Sequence, residues 1–381
     1  MVRLFFRVFF LGILILTVYS CEQKQPEQVA KKPAPSSTQT SQYQPLDPQL
    51  VELSTNALSI WRANCNEKPA LVLMSFDPFL QPIPSELQNR AKGLVLNGNA
   101  EEIDRHGSYT RPDPVIMPTQ TLSAALQADL FSKVYWVFPS KVDPSQLNVE
   151  TFLQQMVEAE FFTEEETHDF SLGNGAFIGT LRGIPFEAVH HARFPTVKGP
   201  MVLHIDLSYF RGLYDDEIKT PLYDLLHQTA LQVLEANWQP SALTLSYSTL
   251  LGAISLDTRF VLTNLAETLR DPQILMEDMP ETWQIRAEAL YAADMFSESK
   301  KMELYRKAAH LAPQDPTVIY DLFQSHLLAR ETNKALQVLD QAVAVDPGYG
   351  AAYLGLADMA LEDGNREMAL TLLKKGSDVF P

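Results

Sequence analysis

A chain of 381 residues, 46% of them apolar, is long enough for two domains and has ordinary material for a core. Its 47 acidic residues against 30 basic ones leave a net charge of −17, which argues against nucleic acid or an anionic lipid surface as a direct partner. Acidity of this kind also serves solubility alone.

The N-terminus reads as a targeting segment rather than part of a fold. Arg3 and Arg7 precede an apolar run from Val8 to Val18, which is too short to span a bilayer. Val18-Tyr19-Ser20-Cys21 follows. The combination resembles a bacterial lipoprotein signal, in which a peptidase cleaves before a cysteine that then carries the lipid. That resemblance makes residues 1–20 the signal, Cys21 the lipidation site and the membrane a partner through that lipid. Val18 and Ser20 fit the pattern, while Tyr19 is bulkier than usual. An ordinary secretory peptide or membrane anchor is the alternative. Glu22 in place of aspartate implies, by resemblance to enteric sorting rules, the outer membrane, facing the periplasm. The chain has two cysteines, so acylation of Cys21 leaves Cys65 unpaired and best buried. Residues 21–46 are rich in Gln, Pro, Ser, Thr and Lys, and read as a disordered tether.

Residues 47–279 alternate apolar runs with amphipathic ones, which predicts an α/β layered, mostly parallel sheet. Strands are expected at 70–76, 93–96, 134–138, 176–181, 201–207 and 242–247, and helices at 48–64, 122–131, 149–160, 221–236 and 257–269. The central stretch starts at Met201. It begins as a strand buried on both faces and turns polar only at Asp206 and Ser208, where open α/β sheets place ligands.

Four pieces fall in a familiar order: Asn56–Trp61, Pro69–Leu80, Val134–Pro139 and Val202–Phe210. Together with Ser241–Ser248 they resemble an uncharacterised family with the arginase/deacetylase fold. That resemblance implies a tryptophan helix, a first metal strand of the form Asp-x-His-x-Asp and a later strand with Asp-x-Asp. Here those places read Ser75, Asp77, Phe79, and Asp206 followed by Ser208. Phenylalanine supplies no ligand, and a hard divalent metal needs more charge than two carboxylates give. The expectation is therefore a degenerate site without metal or cofactor, with Asp77, Asp206, Ser208 and Ser248 as pocket candidates. The partners expected for Asp206 are backbone N–H groups, Ser248 or Arg211.

Other signals are weaker. His190-His191 reads as a surface or core-edge pair. The acidic run from Glu164 to Asp169 lacks calcium-loop spacing and reads as a solvated face. Gly173, Gly175 and Gly179 miss the dinucleotide spacing, and a hairpin turn with no strand before it is the better reading.

Residues 281–381 carry the clearest pattern. Pro313, Pro347 and Pro381 recur every 34 residues, the period of tetratricopeptide repeats. The last unit resembles that family at Tyr353, Leu356, Ala357, Ala360, Gly364, Ala369, Leu373 and Pro381. Small residues at Ala357 and Ala369 let two helices approach, Gly364-Asn365 makes the turn, and Pro381 ends the second helix. About three units are expected, the first running from Thr282 to Pro313, with Lys301 where a small residue is usual. The resemblance implies a groove for a protein or peptide partner. Residues 47–280 hold 15 basic and 30 acidic residues, against 10 and 15 in 281–381, so a basic partner is the electrostatic complement. The reading is a lipid-anchored protein-binding scaffold with a catalytically degenerate α/β domain, and whether that domain keeps an activity is left open. The alternative is a hydrolase of C–N bonds with an altered site.

Overall fold

The computed structural model describes residues 43–381 apart from 109, 174, 250–253 and 381. The signal segment, Cys21, most of the tether and Pro381 lie outside the described residues. Eight strands form one sheet: β1 (Gln49–Val51), β2 (Ala70–Met74), β3 (Lys133–Phe138), β4 (Ser171–Gly173), β5 (Ala176–Leu181), β6 (Ile184–His190), β7 (Met201–Asp206) and β8 (Ala242–Ser246). Their order is β1-β8-β7-β2-β3-β6-β5-β4. Pairing is parallel from β1 through β6 and antiparallel in the β6-β5-β4 edge. The sheet is thus mostly parallel, as the spacing of apolar runs predicts.

Helices cover both faces, which is why β2 and β7 are buried at every residue. Alternate residues divide the sheet between two cores. Leu71, Leu73, Trp136 and Val202 face α1 (Ala57–Ala63), α2 (Gln88–Asn97), α3 (Ala100–His106), α4 (Thr121–Gln127) and α5 (Val149–Glu158). A short α6 (Glu164–Thr167) is capped by Thr163 and has no buried residue, so the acidic run is a solvated face. On the other side Val72, Leu203, Ile205 and Leu245 face α7 (Ser208–Leu213), α8 (Leu222–Glu235) and α9 (Phe260–Arg270). In α8 the apolar positions Leu222, Leu226, Ala230 and Val233 recur at helical spacing and are all buried. The Glu217 carboxylate accepts the Leu222 N–H at 3.2 Å, meeting one of the unpaired donors at the start of α8.

The rest of the described chain is three helical hairpins: α10 (Glu281–Asp294) with α11 (Glu298–Leu311), α12 (Pro316–Leu328) with α13 (Thr332–Val345), and α14 (Ala352–Glu362) with α15 (Arg366–Val379).

Several expectations are corrected. Residues 93–96, expected as a strand, lie inside α2: Ala91 and Val95, one helical turn apart, face the core, whereas Leu96 is exposed. An apolar run of this length does not separate strand from buried helix. The helix expected over 48–64 is β1, a 3-10 turn at Ser54–Asn56 and then α1. Strands β1, β4 and β6 and helices α2, α3, α6 and α7 were not anticipated as elements. The glycine hairpin does have a strand before it, β4, with Gly175 at φ +74° in the turn. The end of the tether is not free: Tyr43 and Leu46 pack against the second core, and Leu46 N–H donates to Leu269 O at 2.8 Å.

Candidate functional site

Strand β2 leads to β3 on one side of it, while β7, on the other side, leads away to β8. The carboxyl ends of β2 and β7 therefore flank the topological switch point, where open α/β sheets leave a crevice. Asp206 is the last residue of β7 and Asp77 follows β2, so topology brings the two candidate carboxylates to one place.

Asp206 is fully buried, and its oxygens are taken by the protein itself. Ser208 N–H donates to Oδ1 at 2.9 Å, Ser248 Oγ donates to Oδ2 at 2.5 Å, and Ser246 Oγ also donates to Oδ2. Burial pushes the Asp206 carboxyl up, while Ser208, Ser246 and Ser248 pull it back. Ser208 Oγ in turn accepts the Phe76 N–H at 3.1 Å, tying the ends of β2 and β7 together. A backbone N–H and Ser248 are thus two of the partners expected for Asp206.

The network continues inward through His204. Register pairs His204 with Thr244 and Asp206 with Ser246 across β7 and β8. Trp61 Nε1 can only donate, and it reaches Thr244 Oγ1 at 3.1 Å. Thr244 Oγ1 lies 2.8 Å from His204 Nδ1, and His204 Nε2 lies 3.0 Å from Ser246 Oγ. One assignment satisfies this order of donors: Trp61 to Thr244, Thr244 to Nδ1, Nε2–H to Ser246, and Ser246 to Asp206. It requires a neutral His204, and burial pushes that imidazole down to about 3. The Trp61 and Phe79 rings stand edge-on to it at 5.2 and 6.3 Å.

Asp77 is partly buried. Its Oδ1 accepts the Phe79 N–H at 2.7 Å, and burial pushes its carboxyl up to about 7, with the Asp206 charge adding to the effect. Phe79 and Ser248 both adopt left-handed backbone, at φ +57° and +52°, which is unusual for a residue with a side chain. Above the crevice Gly212 lies so close to the Pro139 and Phe76 side chains that a Cβ there would meet Pro139 Cγ at 2.4 Å. Among the described residues no group of three or more His, Cys, Asp or Glu side chains is placed to hold a metal ion. A shallow cleft of about 270 Å³ between α2 and α3, lined by Arg90, Asn97, Glu102 and His106 among others, shares no residue with this cluster.

His190 ends β6 buried. Its Nδ1 accepts the Ala192 N–H at 3.1 Å and its Nε2 donates to Val142 O at 3.0 Å, which makes it a satisfied core-edge histidine. Its neighbour His191 lies with its ring centroid 4.4 Å away, so the two rings pack together. Cys65 sits just past α1, half-buried, and burial pushes its thiol up to about 11.

In the helical hairpins Ala357 and Ala369 are fully buried, which permits the close approach of α14 and α15. Gly364 makes their turn at φ +76°, and Asn365 caps α15 through Met368 N–H at 3.1 Å. Tyr353 is buried with its hydroxyl on Asp340 at 2.5 Å, and Leu356 is partly buried in the same core. Leu373 is exposed, and Lys301 lies 5.7 Å from the Tyr305 ring. The tetratricopeptide repeat model matches residues 326–381. No curated protein and no solved structure matches the chain.

The helical hairpins are joined to the sheet by Arg259, at the start of α9 and nearly inaccessible. Its guanidinium binds Glu52 at 2.7 and 2.9 Å and Asp346 at 2.8 and 2.9 Å, over the Tyr247 ring at 3.8 Å. Leu256 packs against the α12–α15 core, and Trp283 of α10 packs against the sheet-side core with Tyr223. A second buried arginine, Arg286 of α10, binds Asp321 and Thr317 of α12, both at 2.8 Å. The sequence reading missed His204, Thr244, Ser246 and Arg259. For the first three a signal existed: polar residues at alternate positions in two strands otherwise wholly apolar.

Proposed function

We propose that the chain is a protein-binding scaffold, held at a cell-envelope membrane by a lipid on Cys21, with the outer membrane facing the periplasm as its address. The observation that carries this reading is the tetratricopeptide match over 326–381 on helices packed as that repeat requires. The sheet domain then serves as a rigid support. Its Asp206 is hydrogen-bonded by three serines, and Arg259 and Trp283 hold the repeats against it. The partner is a protein or peptide, and the acidic surface favours a basic one.

The test is Ala369→Trp, which overpacks the contact between α14 and α15 and costs about 1–3 kcal/mol. Immobilised full chain is expected to lose the envelope proteins that wild type retains, while near-UV signals from the sheet persist. Unchanged capture together with unchanged helix melting would reject the reading. A second reading, a hydrolase of C–N bonds with an altered arginase-like site, draws on one observation: two carboxylates meet at the switch point, one of them raised to about 7.

A further inference from the structure

Directly before α9, Leu256–Thr258 forms a 3-10 turn in which Arg259 N–H donates to Leu256 O at 3.3 Å. Residues three apart in such a turn lie on the same side, so Leu256 and Arg259 both point at the helical hairpins. Leu256 packs against the α12–α15 core, and the Arg259 guanidinium is held by both oxygens of Asp346. The hairpin side is shaped to that guanidinium. The Tyr349 ring centroid lies 5.2 Å from it, and a Cβ on Gly348 would meet Nη2 at 2.4 Å. Tyr320 stacks on Tyr349 at 4.4 Å, and Arg286, one 34-residue period before Tyr320, lies over the Phe260 ring at 4.6 Å. Both are buried, so the first two hairpins already hold a stretch of chain on one continuous face. They hold it through an apolar anchor and, three places on, an arginine in an acidic and aromatic cradle.

One residue of the stretch fits badly. Burial pushes the Asp321 carboxyl up to about 6, Arg286 pulls it back, and the Asp257 charge adds to the rise. Around the stretch the hairpins present Asp315, Asp321 and Asp346 against Arg286, so an acidic side chain at 257 meets its own sign.

Building on the scaffold reading, we propose that this face is the binding surface for a protein segment carrying an arginine with an apolar residue three places before it, and that Leu256–Arg259 of the chain itself occupies it until such a segment displaces it. A basic residue where the chain has Asp257 removes the repulsion and favours the partner over the internal stretch.

The experiment is fluorescence anisotropy on the full chain in detergent, with a labelled peptide of residues 254–260 as probe. Leu256→Ala with Arg259→Ala vacates both places on the face. An internal segment competes at an effective concentration of about millimolar, so wild type should bind the probe at least ~30-fold more weakly than this opened chain. Arg259→Lys, which keeps the charge and loses the paired bonds, should bind at an intermediate level and decides the matter if the double variant does not fold; circular dichroism melts show which variants fold. Adding Asp346→Asn, which still caps its turn, should abolish probe binding, as should alanine for the probe's arginine. Lysine for the probe's aspartate should tighten binding. Equal affinity of wild type and opened chain, no binding to any folded opened variant, or binding that ignores Asp346 or the probe's arginine overturns the proposal. The probe is the chain's own segment, so binding as expected with no envelope protein retained would support this face and count against the scaffold reading alone.

Discussion

Replacing Asp206 by asparagine separates the two readings of the sheet domain. The carboxylate accepts from Ser208 N–H, Ser246 Oγ and Ser248 Oγ. Hydrogen bonds to a charged group contribute about 1.5–3 kcal/mol each and neutral ones about 0.5–1.5, so each bond weakens by roughly 1 kcal/mol. Relief from burying a charge offsets part of that loss. The amide also presents an NH₂ to Ser246 or Ser248, and a Ser246 that accepts from it must turn its hydroxyl to His204 Nε2. That reverses the imidazole tautomer and leaves Thr244 Oγ1 facing two donors. The net cost is expected at about 1–3 kcal/mol. Urea unfolding of wild type and Asp206→Asn, with and without chelator, measures it. The midpoint should fall in the variant and stay unchanged by chelator in both proteins, with no stoichiometric divalent metal in either. One or two tightly bound metal ions per chain, released by Asp206→Asn, would refute this account and restore the hydrolase reading.

Three further outcomes are expected. Arg259→Ala strands Glu52 and Asp346 beside an empty space; removing one partner of a buried pair costs about 3–5 kcal/mol, toward the low end here because both carboxylates still reach water. Limited proteolysis should then cut between sheet and repeats faster than in wild type, and equal rates would deny Arg259 that role. Burial raises Asp77 to about 7, so the folded state holds its proton where the unfolded one has released it; this contribution favours folding below the unfolded value of 3.8 and is lost as pH rises toward 7. His204, lowered from 6.5 to about 3, acts in the opposite sense and loses stability as pH falls through that window. Melting curves from pH 4 to 7 should accordingly show Asp77→Asn with less loss on raising pH than wild type, and parallel curves would contradict the buried carboxyl. Cys21→Ser should yield a soluble exported protein or an uncleaved precursor; a processed, mature-size form still on membranes would exclude a lipid on Cys21.

What was legible follows from how local each interaction is. The tetratricopeptide hairpins were readable because Ala357, Gly364 and Ala369 act on neighbours within one repeat, and the period repeats the message. β2, β7 and β8 were readable from apolar runs of strand length. The three-residue β1 was not, because Gln49–Val51 becomes a strand only by lying along β8. Asp77 and Asp206 could be named as pocket candidates, since polar residues at strand ends invite that reading. Their closed serine shell depends on β7–β8 register, and the Trp61 contact joins residues 183 apart in sequence. Arg259 fell inside an expected helix, but its partners Glu52 and Asp346 are 207 and 87 residues away.

The same distances bear on what the sheet does for the repeats. Asp206 is fully buried, and a carboxylate taken out of water is costly unless it is hydrogen-bonded. Here Ser246 and Ser248 lie at the end of β8 and just beyond it, and Ser208 opens α7, so the charge ties three segments together. Phe79 and Ser248 keep left-handed backbone beside it, a strain that persists only where the surroundings hold it firmly. Leu256 and Arg259 meet the helical core and Asp346. Ser248 N–H donates to Glu52 O at 2.8 Å and Thr249 Oγ1 accepts from Arg259 at 3.0 Å, so the Asp206 shell adjoins the partners of Arg259 directly. Loosening Asp206 should be felt at Asp346 as well as at β7, so Asp206→Asn combined with Arg259→Ala should destabilise by less than the sum of the two. Strict additivity would mean that the sheet and the repeats are joined without being coupled.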